Sequence, residues 1–149
     1  MTIKQRFFMF AATGAMVGYA PVAPGTWGTL VGIPLVLLCS ILPPSWQVFA
    51  VVLFIMAAIW IAQEAEIIFG KKDPGAIVID EMAGYLVALC GLPVTLPSLA
   101  VGFLVFRFFD IVKPFPIRYF EQQFSGGAGV VLDDIFAGLY TGLVLRLIF

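Results

Sequence analysis

From Phe7 to Gln63 the chain carries no charged side chain. In water a folded element needs a polar face, and a run like this has none to offer. In lipid the requirement reverses, and helices satisfy their own backbone groups internally. The longest apolar segment, Trp46–Phe69, exceeds the ~20 residues that a helix needs to cross the hydrocarbon core. The rest of the chain agrees: 62% of residues are hydrophobic and 11% are charged, against about 25% charged in an ordinary soluble domain.

Breakers divide the chain into about five apolar segments, judged against the span length of a helix. They are Leu30–Leu42 with Pro34 inside it, Trp46–Phe69, Ala76–Leu92, Ser98–Val112 and Asp133–Phe149. The first and fourth are short, which leaves tilted, re-entrant or flank-extended segments open. Met1–Ala20, with Lys4 and Arg6 before an apolar run, reads as an interfacial helix rather than a signal peptide. The expected fold is all-α: a compact polytopic membrane helix bundle with about five short hydrophobic helices and an N-terminal interfacial helix. Residues 1–149 form one domain. Gly14/Gly18, Gly28/Gly32 and Gly138/Gly142 have the spacing of close helix packing.

The links between segments differ in charge. Ser40–Ser45 and Gly91–Pro97 are neutral, whereas Gly70–Gly75 carries Lys71, Lys72 and Asp73. Lys113–Leu132 carries Lys113, Arg118 and Glu121. The positive-inside rule then sets the N-terminus, Gly70–Gly75 and Lys113–Leu132 in the cytoplasm, with Arg146 a mild exception. Acidic residues follow the same side. Glu64 and Glu66 end the second segment, Asp80 and Glu81 begin the third, Asp110 ends the fourth, and Asp133 and Asp134 begin the fifth. Ionisable groups at membrane depth are costly and mark function. Glu64 and Glu66 read more simply as a solvated helix end.

Local spacing adds detail. Arg107, Asp110 and Lys113 share one helix face as cation, anion, cation. Asp80 and Glu81 sit about 100° apart on a helix, so one of them is expected in the site and the other in a structural role. The same holds for Asp133 and Asp134, and Asp133 is also a candidate N-cap. The loop Pro21-Val-Ala-Pro-Gly-Thr-Trp-Gly-Thr29 leads into an apolar helix whose N-terminal N–H groups suit a phosphate, with Thr29 as cap in the plainer reading. Gly126-Gly-Ala-Gly129 reads as a flexible lip or a turn.

Chemistry is bounded by what is missing. There is no histidine, which removes His-based catalysis, His-ligated zinc and phosphohistidine. Cys39 and Cys90 sit in apolar runs, and neither opens a Cys-x5-Arg phosphate loop. The spacing Asp-x-Asp, on which one large phosphatase class depends, does not occur. Net charge is −1, so no nucleic acid partner is expected. Carboxylates without His or reactive Cys suit a hard cation, with magnesium (Mg2+) favoured. Neighbouring Lys and Arg suit a phosphate, and together these point to phosphate chemistry on a membrane lipid.

Four motifs carry a closer likeness: Pro21–Thr29, Asp73-Pro-Gly-Ala-Ile-Val-Ile-Asp-Glu81, Phe106-Arg-Phe-Phe-Asp-Ile-Val-Lys-Pro-Phe-Pro-Ile-Arg118 and Gly126-Gly-Ala-Gly-Val-Val-Leu-Asp-Asp-Ile-Phe-Ala-Gly138. In this order they resemble the phosphatidylglycerophosphatase A family. The resemblance implies a magnesium-dependent, multi-pass hydrolase of the bacterial inner membrane with its site facing the cytoplasm. It would convert phosphatidylglycerophosphate to phosphatidylglycerol and phosphate in phospholipid biosynthesis. On that basis Asp80, Asp110, Asp133 and Asp134 are expected to hold magnesium, and Glu81 to orient or deprotonate water. Lys113, Arg107 and Arg118 would offset phosphate charge, and Gly25, Thr26 and Thr29 would contact its oxygens. The competing reading is a small transporter or channel subunit with a carboxylate-lined ion site, which predicts charges through the membrane depth. Oligomeric state stays open.

Overall fold

The breakers resolve into seven α-helices and no strand in a computed structural model describing residues 1–149. They are α1 (Ile3–Ala12), α2 (Pro24–Ser40), α3 (Pro44–Phe69), α4 (Ile79–Leu89), α5 (Leu96–Val112), α6 (Ile117–Gln123) and α7 (Gly126–Ile148). The all-α expectation is met. Against the expected five or so short hydrophobic helices, two, α3 and α7, with 26 and 23 residues, are long and apolar enough to cross a membrane, and α2 is a shorter apolar helix. Helices α2 and α5 have 17 residues each, and α4 has 11. Phe49, Leu53, Met56 and Trp60 of α3 stay exposed, the surface of a helix that meets lipid rather than water.

Helix α4 is the buried centre. At about 1.5 Å per residue it is roughly 16 Å long, about half the hydrocarbon thickness. Every residue of it except Glu81 and Val87 is buried. Its closest neighbour is α7, and the contact is made by backbone. A Cβ on Gly138 would strike the Gly84 carbonyl oxygen, and one on Gly84 would meet the Asp134 carbonyl and a Phe106 ring carbon 2.7 Å away. A Cβ on Gly142 would lie 3.3 Å from the Ala88 carbonyl oxygen. Gly84 faces Gly138 and Ala88 faces Gly142, a constant offset, so the two helices run parallel in register. Small residues permit this approach where lipid supplies no hydrophobic drive between helices.

Helix α2 meets α4 by the same device. Gly28 would bring a Cβ 2.5 Å from Val78 Cβ, and Gly32 one 3.3 Å from the Tyr85 ring. Gly14 and Gly18 differ from the expected helical pair. Gly14 follows α1 at φ +58, and Gly18 packs against the Ala76 backbone. The apolar core around Tyr85, Phe106, Leu89 and Leu145 fills the rest, and the Tyr85 hydroxyl donates to the Leu99 carbonyl at 2.8 Å.

Helix boundaries depart from the sequence reading for physical reasons. Helix α7 starts at Gly126 with Ser125 as N-cap, so Asp133 lies about two turns inside it and is no cap. The glycines taken as a lip serve contact: Gly127 abuts α3, and its N–H donates to Gln63 Oε1 at 2.7 Å. Helix α2 starts at Pro24, the favoured first position for proline, which puts Thr29 in its interior. Glu66 is buried rather than solvated, and accepts the Asp73 N–H at 2.7 Å.

The segment Lys113–Leu132, expected as a loop, dips along α7. The Tyr140 hydroxyl donates to the Phe115 carbonyl at 2.9 Å, and Phe120 stacks on Phe136 at 4.5 Å as α6 climbs back toward Gly126. At the opposite end Gln47 Oε1 accepts the Gly91 N–H at 2.9 Å, and Arg146 donates to the Cys90 carbonyl at 2.8 Å. Both cysteines are free.

Because the obstacles at Gly138 are backbone atoms, Gly138→Val is expected to destabilise by about 1–3 kcal/mol or more, read as a lower Tm in detergent. Exposed Leu104→Val should leave Tm nearly unchanged. Equal Tm for both variants would mean that α4 and α7 do not touch through backbone.

Candidate active site

The first turn of α2, the α3–α4 loop, the start of α4, the end of α5 and the third turn of α7 converge on one polar cavity of about 290 Å³. Its walls include Gly25, Asp80, Glu81, Arg107, Asp110, Lys113, Asp133 and Asp134. These come from four motifs far apart in sequence, and all lie at the same end of the bundle. The clustering runs to one end and does not thread the membrane depth.

Three of the carboxylates converge. One oxygen each from Asp80, Glu81 and Asp134 lies within 4.8 Å of the others. Asp80 and Asp134 are 7% and 1% exposed. Adjacent Asp80 and Glu81 both reach the cavity, contrary to the expected division of roles. Glu has one methylene more than Asp and bends back from the first turn of α4. Asp80 Oδ1, Glu81 Oε2 and Asp134 Oδ1 are buried with no hydrogen-bond partner. Unpaired buried carboxylate oxygens are expensive, and a hard cation with oxygen ligands is what such a set fits.

The other two aspartates are engaged by cations of the protein. Arg107 forms an ion pair with Asp110, one turn along α5, and its Nε is left buried without a partner. Lys113 ends α5 in the left-handed region at φ +51. That turn sends its ammonium to Glu121 at 2.8 Å and Asp133 at 3.0 Å. Burial works against its charge, yet the bonds to Glu121 and Asp133 hold its pKa well above the usual lysine range. Glu121, from α6, was given no role by sequence spacing, since only the dip of α6 brings it here.

Gly25 is the residue that lets α2 approach. A Cβ there would lie 2.8 Å from Glu81 Oε1 and 3.1 Å from Arg107 Nη1. The start of α2 has no side-chain cap. Pro24 carries no N–H, and the Thr26 and Trp27 N–H groups donate to the Ala23 carbonyl at 3.1 and 3.3 Å, which leaves the N–H of the cavity-lining Gly25. Three expected contacts lie elsewhere. Thr29 is fully buried, and its hydroxyl donates to the Gly25 carbonyl at 2.8 Å. Thr26 does not line the cavity. Arg118 is exposed on α6, turned back to the Val112 carbonyl at 3.4 Å. Asp73 and Gly75 do line it. Both belong to the Asp73–Glu81 motif, where the Asp-Pro-Gly turn was the available signal.

The phosphatidylglycerophosphatase A family profile matches residues 10–149. A Haemophilus influenzae protein named phosphatidylglycerophosphatase A is 37% identical over 137 residues, covering 90% of this chain and 83% of its own. An Escherichia coli protein of the same name is 36% identical over 140 residues, covering 92% and 80%. A Bacteroides thetaiotaomicron protein, provisionally named a phosphatidylinositol-3-phosphatase, is 39% identical over 141 residues, covering 89% and 87%. No solved structure matches.

Lys113→Met would leave the buried Asp133 carboxylate unpaired and is expected to cost about 1–3 kcal/mol, read as a fall in Tm. Glu121 is 40% exposed, so Glu121→Gln should cost at most about 1 kcal/mol. If Lys113→Met melts like the wild type, the Lys113–Asp133 pair is absent.

Proposed function

The chain belongs to the phosphatidylglycerophosphatase A family, and from that premise we propose that it hydrolyses the terminal phosphate monoester of phosphatidylglycerophosphate with the help of magnesium. It is a phosphatase, and its products would be phosphatidylglycerol and phosphate, a step of phospholipid biosynthesis. The observation that carries the metal is the set of partnerless buried oxygens on Asp80, Glu81 and Asp134. A magnesium ion held there would polarise the phosphate and acidify a bound water.

The chain's own residues account for the remainder. Arg107 and Lys113 offset the phosphate charge, each held in position by a carboxylate, Asp110 and Asp133 respectively. In this reading those two aspartates orient cations instead of holding the metal. At the uncapped start of α2 the Gly25 N–H is the donor left to offer a phosphate oxygen. Glu81, the least buried of the acidic trio, orients the attacking water. The water oxygen forms the new bond to phosphorus, the bond from phosphorus to the headgroup glycerol oxygen breaks, and a proton from water ends on that oxygen. The aspartates also allow an aspartyl-phosphate route. In a single turnover in oxygen-18 water, label in an enzyme carboxylate would reject direct attack.

The one-ended cavity supports a multi-pass protein of the bacterial inner membrane with the site toward the cytoplasm, the side that the basic links select. It weighs against the transporter reading, which needs charge along the depth. The B. thetaiotaomicron relative makes phosphatidylinositol 3-phosphate the comparison substrate.

Purified protein is expected to release phosphate from phosphatidylglycerophosphate with magnesium and not after chelation. Asp134→Asn should lower kcat on the order of 10²-fold or more, the scale of losing one charge-stabilising group. Faster turnover of phosphatidylinositol 3-phosphate would reassign the substrate. Metal-independent release would remove magnesium from the reaction.

A further inference from the structure

The seam between α4 and α7 ends, away from the carboxylates, at a second and larger cavity of about 670 Å³. It is walled by residues such as Val48, Val52, Val87 and Leu143, with Pro116 at its inner end and Arg146 at its outer end. At about 30 Å³ for a water-sized group, which is also the size of a methylene, it has room for roughly twenty of them. That is the scale of one acyl chain.

Arg146 is the single charged side chain of this end. The chain has no other charged residue between Arg6 and Glu64, between Glu81 and Arg107, or after Asp134. Its guanidinium is anchored by two neutral acceptors, the Gly142 carbonyl at 3.0 Å and the Cys90 carbonyl at 2.8 Å. No carboxylate pairs with it. Glycines clear its seat: a Cβ on Gly142 would lie 3.0 Å from Nη1, and one on Gly91 3.7 Å from Nη2. The arginine is thus held in place with its charge uncompensated, at the mouth of an apolar groove that runs inward.

We propose that this groove binds an anionic phospholipid of the leaflet opposite the carboxylate cavity, its phosphate on Arg146 and one acyl chain along α3 and α7 toward Pro116. The occupant follows from complementarity. A fixed cation at the interface needs an anion, and the walls behind it need hydrocarbon. The site is independent of the phosphatase chemistry at the other end.

The test uses full-length protein in phosphatidylcholine nanodiscs, doped with phosphatidylglycerol or phosphatidylcholine carrying a diazirine on the acyl chain. After illumination, mass spectrometry maps the adducts. Adducts at Val52 and Leu143 are expected to favour the anionic probe about fivefold, the scale of one interfacial cation. Arg146→Gln should bring that ratio near one, and Arg146→Lys should keep part of it. Val87→Trp, which fills the groove and leaves the charge, should suppress adducts of both probes there. Equal labelling by both probes in the wild type, a preference that survives Arg146→Gln, or crosslinks from a second copy of the chain in the groove would each overturn the proposal.

Discussion

The placement of the two central aspartates depends on a contact between glycines, which have no side chain to offer. Helices α4 and α7 touch through Gly84 and Gly138, and the parallel register set there carries upward by one turn. Asp80 lies four residues before Gly84, and Asp134 four before Gly138. On a helix those positions stack on one face. The backbone contact therefore determines how near the two aspartates stand. A carboxylate site built on facing helices at their closest approach has little freedom to open, and rigid elements hold geometry better than loops do.

Charge balance completes the picture. Asp110 and Asp133 are matched by Arg107 and Lys113, while Asp80, Glu81 and Asp134 form no salt bridge. Like charges at this depth repel, and desolvation adds to the cost. The packing that brings them together must outweigh that cost unless a cation does so. The apolar core around Tyr85 and Phe106 lies directly beneath, which accounts for a polar site seated on a well-filled interior.

Much of this was legible in the sequence. The one-sided run of acidic residues and the charge-free stretch from Phe7 to Gln63 pointed to an all-helical membrane protein with its acidic side chains at one end. Glycine spacing marked Gly28/Gly32 and Gly138/Gly142 as close-packing faces, and the structure supplies α4 as the partner of both. What escaped was what depends on tertiary partners. Gly126–Gly129 reads as a turn until Gln63 of α3 is seen to supply its cap. Glu121 reads as loop charge until α6 folds back along α7. Thr29 reads as a cap until Pro24 is seen to start the helix. Asp80 and Glu81 read as exclusive because angular spacing ignores side-chain length.

Helix α4 has a consequence for how the chain enters the bilayer. With 11 residues, two of them acidic, it is a poor candidate for insertion by hydropathy alone. The partner that covers it, α7, is synthesised only after α5 and α6. Until then its aspartate, its glutamate and its bare glycine face have nowhere stable to rest. The centre of the protein is thus the part that is covered last, and the polar cavity is complete only once α7 has packed on α4.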